Sequence, residues 1–219
     1  MKLRIKKSGF TLLEMTIMLG VFTVILGAGL QAIIAFTIQK QIDDTRQLQQ
    51  LIRTSINEYF DINGHFPCPA SRTATESDPN YGKGDCSLAA PAGTEEVAGK
   101  DGLIVRIGMI PFRDLNLPPR RAFDLYRSRF TYAVVKNLAI DKDTFNNTAN
   151  TGAITIVDSF GTSMITPEDT AAWVLLSHGQ NWKGSYNKKG DLVAACPAVT
   201  VTEHENCDDD ARFMDSFYS

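Results

Sequence analysis

The chain has little of what catalytic and metal-binding sequences are usually built from. Its 219 residues include only 3 histidines and 4 cysteines. No Cys-x-x-Cys pair occurs, and only His65 and His204 lie near a cysteine in sequence, so the spacing of a thiolate–imidazole zinc site is missing. The acidic residues do not fall in an EF-hand pattern. Positive charge is not in excess either. The net charge is −3, which argues against a general nucleic-acid-binding surface. Two further absences concern the N-terminal third. No proline occurs between Met1 and Phe66, and no charged residue between Met15 and Gln39. The first leaves a very long helix unbroken, and the second excludes a solvated surface for its first half.

That uncharged run is preceded by Lys6-Lys7-Ser8-Gly9-Phe10-Thr11-Leu12-Leu13-Glu14. At ~1.5 Å per residue, Met15 to Ile38 extends ~36 Å, against a hydrocarbon core of ~30 Å. The segment can therefore span a bilayer with some tilt. Glu14 then sits where the membrane begins, and an ionised side chain there costs a few kcal/mol unless it has a partner. Cleavage between Gly9 and Phe10 would create one. The new α-amine, with an ordinary pKa of roughly 7.7–8.0, is largely cationic near neutral pH. It lies at the membrane depth of Glu14 on a neighbouring copy, where weak screening strengthens attraction. Such a pair would neutralise the buried charge and set the register between subunits.

The same residues carry a resemblance. Lys-Lys-Ser-Gly-Phe-Thr-Leu-Leu-Glu before an apolar run resembles the class III signal of type IV pilins and type II secretion pseudopilins. The resemblance implies cleavage after Gly9 by a prepilin peptidase, N-methylation of Phe10, and contact between Glu14 and the amino terminus of the adjacent subunit. It further implies that other pilin or pseudopilin subunits and an inner-membrane assembly platform are partners. Met15 and Thr16 depart from the more usual aliphatic pair. Two plainer readings fit less well. A secretory signal peptide needs a 7–15-residue apolar region and a small-residue cleavage site, whereas this run is longer and offers only Gly27-Ala28-Gly29. A simple single-span anchor leaves Glu14 unexplained.

Removing the leader and span leaves 180 residues, Lys40 to Ser219, enough for one domain with a substantial core. Loss of the leader's four cations would take the net charge from −3 to −7. Those cations place the N-terminus in the cytoplasm and the body across the membrane, where disulfides persist. From Gln39 to Ile62, Ile42, Leu48, Leu51, Ile52, Ile56, Tyr59 and Phe60 recur mainly at spacings of three and four, so one helix is expected from about Thr11 to Asp61. Asn63-Gly64 provides its stop. Residues 65–102 read as a long polar loop containing Phe66-Pro67-Cys68-Pro69-Ala70 and Cys86. Gly108 to Pro118 alternates turn and apolar residues and is expected to lie flat over the core. Strands are expected at Phe130–Val135, Ala153–Val157 and Ala172–Ser177. Four cysteines allow three pairings; Cys68–Cys86 and Cys196–Cys207 are favoured because each closes a local polar loop. The fold class is thus α+β, with a long N-terminal helix packed on an antiparallel sheet, and the resemblance makes it pilin-like. The divisions are a leader at 1–9, a transmembrane and assembly helix at 10–38, its amphipathic continuation at 39–64 and a disulfide-stabilised head at 65–219. Several short head segments also look like those of a subgroup of secreted pilin-like proteins.

Three groups invite a chemical role. Ser177-His178, with Asp158 or Asp191, suggests a nucleophile and base, but adjacent residues on a strand point to opposite faces and cannot pair. Glu203, Glu205, Asp208, Asp209 and Asp210 offer oxygen ligands for calcium, which the resemblance also allows; the plainer reading is a solvated acidic tail. No other metal or cofactor is indicated. Arg120 and Arg121, with Arg127, Arg129 and interleaved Tyr126, Phe130 and Tyr132, could meet phosphates in a DNA-uptake pilin; the plainer reading pairs the arginines with Asp114 and Asp124. The expectation is a non-enzymatic subunit of a filament anchored in a bacterial inner membrane, serving type II secretion or a type IV pilus. The alternative is an anchored binding module that never polymerises and captures ligand or DNA.

Overall fold

The computed structural model describes residues 11–87, 89–147, 152–198, 202–208 and 210–215. The leader cleavage site between Gly9 and Phe10 and the calcium candidate Asp209 lie outside them. The chain divides into two units, Met1–Asp43 and Asp44–Ser219.

Helix α1 runs over Leu12–Asn63, 52 residues, close to the expected span. Thr11 caps it: its hydroxyl accepts from the Glu14 backbone N–H at 3.3 Å. Gly64 ends it in the left-handed region (φ 76°), donating its N–H to the Phe60 carbonyl at 2.7 Å. In the first unit the described large apolar side chains from Leu12 to Ile38 are uncovered on every side. Val24, Ile25 and Leu26, which point ~100° apart around the axis, are 72%, 63% and 60% exposed. Among the described residues no helix is long and apolar enough to cross a membrane. Ala28, Gly29 and Ala32, inside the uncharged run, are not among the described side chains.

In the second unit the same helix becomes one-sided. Leu48, Ile52 and Ile56 are buried, at helical spacing, while Leu51 turns outward. They join Met109, Phe130, Tyr132 and Val134 in one core cluster. The sheet that supplies these partners has four antiparallel strands in the order β1-β2-β3-β5: β1 Glu95–Ala98, β2 Ile104–Met109, β3 Thr131–Val135 and β5 Trp173–Leu176. Strand periodicity divides its two faces. Tyr132 and Val134 face the helix cluster, and Trp173 and Leu175 pack beside them. Ala133, Val135, Val174 and Leu176 face a second cluster with Val105, Ile154 and Phe213. Over that face lies a parallel pair, β4 Thr155–Val157 and β6 Arg212–Met214. A short helix α2 spans Lys142–Asn147.

The α+β class with an antiparallel sheet and an N-terminal helix therefore holds, and three expectations need correction. The presumed loop 65–102 contains β1. A strand reading Glu-Glu-Val-Ala buries only Val97 well, because it is an edge strand and its charged residues stay wet. Gly108 and Met109 do not lie flat over the core but end β2, a central strand paired on both sides. The strand expected at Ala153–Val157 is shorter and pairs with the C-terminal segment rather than joining the main sheet.

Both disulfides are present as expected, Cys68–Cys86 and Cys196–Cys207, with Cα separations of 5.5 and 5.6 Å. The 65–94 loop has further fastenings. Ala70 exchanges two backbone hydrogen bonds with Met109, at 2.8 and 2.7 Å. Asp114 Oδ2 accepts from the Gly84 N–H at 2.6 Å. Gly82, at φ 72°, passes so close to Phe112 that a Cβ would stand 2.0 Å from the ring. Gly82→Ala is expected to cost about 2 kcal/mol or more, since a left-handed backbone and a buried ring both oppose the methyl group. Denaturant titration of the two proteins checks this.

Candidate functional site

Buried polar chemistry in the head gathers around the turn before β3. Asp124 is buried and accepts three hydrogen bonds, from the Ser128 N–H at 2.8 Å, the Tyr126 N–H at 3.0 Å and the Ser177 hydroxyl at 2.6 Å. Burial pushes its carboxyl above the ordinary value, with those three donors holding it the other way. Ser177 thus serves a carboxylate. His178, the next residue, turns to β3, its Nε2 2.9 Å from the Thr131 hydroxyl. Both lie just beyond β5, and the serine and histidine do not meet, because each is taken by a different partner. Asp158 and Asp191 stay local: Asp158 accepts from the Phe160 and Thr162 N–H groups, and Asp191 from the Asn187 amide.

Desolvation, aided by Arg72, pulls the His178 imidazole down to about 4, with a Lys183 backbone hydrogen bond opposing. A folded pKa below the unfolded one favours the neutral ring. Its stabilisation is complete above about pH 6.5 and is lost as pH falls towards 4. The loss amounts to about 2–3 kcal/mol at pH 4.5. The Asp208 carboxyl, pushed up to about 6 by burial and then by Asp210 and Glu205, acts in the opposite sense over the same range. The expected outcome is therefore relative: between pH 7.5 and 4.5 wild type loses about 2–3 kcal/mol more than His178→Gln, measured by thermal melts of both.

The four arginines do not form one patch. Arg120 is exposed and Arg121 half-buried on a short 3-10 turn, Pro119–Ala122. Arg127 is exposed at φ 67°. Arg129 is buried, its guanidinium donating to the carbonyls of Asn187, Arg72, Ala74 and Lys188 at 2.7 to 2.8 Å. Among the described residues neither expected carboxylate receives an arginine; Asp114 and Asp124 take the backbone N–H and hydroxyl donors described above. A second buried arginine, Arg106, lies on β2 and has no local motif that marks it in the sequence. It bonds to Glu96 across the β1–β2 pair and to the carbonyls of Asp85 and Ser87. Lys136 reaches the same Glu96 oxygen at 2.6 Å. These donors, not direct charge attraction alone, keep the Glu96 carboxyl below its ordinary value against the upward pull of burial.

No family model matches the chain, and no characterised protein or solved structure is significantly similar to it.

Of the acidic tail, Glu205 pairs with Arg212 at 3.0 Å and Asp208 Oδ2 stands 3.8 Å from His204 Nε2. Among the described residues no group of three or more potential ligands could hold a metal ion. An open cleft of about 370 Å³ lies beside the β4–β6 pair, lined by Thr155, Ser163, Glu168, Asp169 and Arg212 among others. Its Asp169 accepts from the Thr155 hydroxyl at 2.6 Å. Glu14, the remaining site residue from the sequence, is exposed in the first turn of α1.

Proposed function

We propose that this chain is a non-enzymatic, pilin-like structural subunit. In this reading a prepilin peptidase cuts between Gly9 and Phe10, and Phe10 is N-methylated. The apolar half of α1 first sits in a bacterial inner membrane with the head outside the cytoplasm, then packs among its counterparts in a helical filament. Glu14 meets the amine of a neighbouring copy. The filament serves type II secretion or is a type IV pilus, and it needs no catalytic site in the head.

The observation that carries the reading is the contrast within one helix. From Leu12 to Ile38 its large apolar residues are exposed all round, whereas from Leu48 onward Leu48, Ile52 and Ile56 form a buried stripe, with only Leu51 and Ile62 exposed among the large aliphatic residues. A helix that is hydrophobic all round requires lipid or other helices as its surroundings. One carboxylate, Glu14, stands at the start of that surface. The dispersal of the arginines also favours a structural role over nucleic-acid capture, because Arg129 is spent on backbone carbonyls. Intact-mass measurement of the protein from membranes tests the reading. The expected N-terminus is a methylated Phe10; a chain still beginning at Met1, or one cut beyond Ala28, overturns it.

A further inference from the structure

The two disulfides differ in their surroundings. Cys68 and Cys86 pack against the main core cluster. Cys196 and Cys207 belong to neither cluster, although all four cysteines are half-buried. Beside them lies an imidazole with a defined orientation. His204 Nδ1 is 2.8 Å from the Pro197 carbonyl, which requires a hydrogen on that nitrogen, and the same ring edge is 3.6 Å from Cys196 Sγ. The far nitrogen, Nε2, faces Asp208 Oδ2 at 3.8 Å. Among the described residues, Glu205, paired with Arg212, and Asp210 are the other charged groups facing Asp208. Cysteine, histidine and aspartate thus stand in line, with the sulfur held in a disulfide.

We propose that Cys196–Cys207 is an exchange-active disulfide, opened by an external thiolate that attacks Cys207 Sγ while His204 stabilises Cys196 as the leaving thiolate. The rate of exchange rises as the leaving thiol becomes more acidic, and a neighbouring imidazolium makes it so. The N–H that serves Pro197 is already placed where negative charge develops on Cys196. In the first step the external sulfur bonds to Cys207 Sγ, and the Cys196–Cys207 bond breaks with its electron pair on Cys196. A second external thiolate then attacks the external sulfur of the mixed disulfide and releases Cys207. Two external thiols become one disulfide, and the protein gains two thiols and their protons.

Opening leaves the neighbouring chain fastened. The Gly184 N–H bonds to the Ala194 carbonyl at 2.9 Å on one side. The Asn206 side chain bonds both the N–H and the carbonyl of Met214 on the other, at 2.8 and 3.0 Å. Reversible exchange is therefore compatible with the folded head. The inference does not depend on filament assembly.

The test exposes the oxidised full chain, in detergent, to reduced glutathione or to a protein dithiol at equal thiol concentration, followed by acid quench, alkylation and peptide mass spectrometry. Cys196–Cys207 is expected to open at least about tenfold faster than Cys68–Cys86, with the mixed disulfide on Cys207. Selective opening by either reagent supports the proposal, and the faster reagent identifies the source of the thiol. In His204→Gln the advantage is expected to fall about tenfold and the adduct to divide between both sulfurs, with Cys68–Cys86 unchanged. Equal opening of the two bonds in wild type, or an adduct mainly on Cys196, overturns the proposal without any variant. An unaltered rate and adduct position in His204→Gln overturns the role of the histidine.

Discussion

Replacing Arg129 by methionine should destabilise the head by on the order of 3–5 kcal/mol, more than any exposed arginine can account for. The side chain is 1% exposed and makes no ion pair with a carboxylate among the described residues. Its guanidinium instead donates to four main-chain carbonyls, those of Arg72, Ala74, Asn187 and Lys188. The planar fork also lies over the Tyr81 ring at 5.3 Å and near Phe123 at 6.0 Å. Burial draws its pKa below the ordinary arginine value, with Tyr81 acting slightly the other way. The cation is held by dipoles and aromatic faces, and two loops distant in sequence converge on it. Methionine fills part of the volume and leaves four acceptors without a donor, each costing about 1–3 kcal/mol before water enters and relaxes the loops. Lysine cannot reproduce the fork and should recover less than half of the loss. Arg120→Ala should stay within about 0.5 kcal/mol, as expected for an exposed side chain. Urea titration separates these cases, and limited proteolysis should find new cuts near residues 72–81 and 186–191 in Arg129→Met. A loss below about 1 kcal/mol would show that the four bonds are replaced by solvent at no cost.

Such a side chain also marks where sequence reasoning runs out. The long helix is legible because its signals are local: an unbroken proline-free stretch, Thr11 able to cap, Gly64 able to adopt positive φ. Strands β3 and β5 are legible for the same reason, since each is a short run of β-branched and aromatic residues between turns. Both disulfides are local closures. By contrast, β1 is a charged edge strand and β2 carries Arg106 and Gly108, so neither resembles a core strand although Val105, Arg106 and Met109 are fully buried. The β4–β6 pairing joins segments more than fifty residues apart in a parallel register, which turn chemistry does not encode. Arg106 and Arg129 reverse the usual expectation that arginine is exposed. Their one sequence signal is position, Arg106 inside Ile-Val-Arg-Ile and Arg129 just before the strand it introduces. Pairing the arginines with Asp114 and Asp124 failed because Asp124 satisfies its own turn and Asp114 accepts from the Gly84 N–H, thirty residues away. Ser177 and His178 are indeed apart, but β5 ends at Leu176 and it is their partners, Asp124 and Thr131, that separate them rather than strand alternation.

Glu14→Lys is expected to abolish filament formation while leaving the folded head intact. Glu14 is the only charged residue from Leu12 to Gln39, a stretch whose described large apolar side chains are exposed. A carboxylate at the edge of hydrocarbon costs a few kcal/mol by itself. In the proposed filament that cost is offset by the cationic amine of Phe10 on another copy, and the attraction grows as water leaves the contact. Lysine makes two cations face each other at each contact, so attraction becomes repulsion in every subunit. Glu14→Gln removes the attraction without adding repulsion, and assembly should weaken rather than vanish. The head should not respond, because Asp44–Ser219 is a compact unit whose core is built from its own residues, Leu48, Ile52 and Ile56 among them. Electron microscopy and sedimentation of the processed protein measure assembly, and thermal melting of the same samples reports on the head. Filaments of normal abundance from Glu14→Lys, with the N-terminus verified at Phe10, would show that the amine–carboxylate contact is not what fixes the subunits. Lost filaments with an unchanged melt would assign Glu14 to assembly, whereas a lowered melt would assign it to folding.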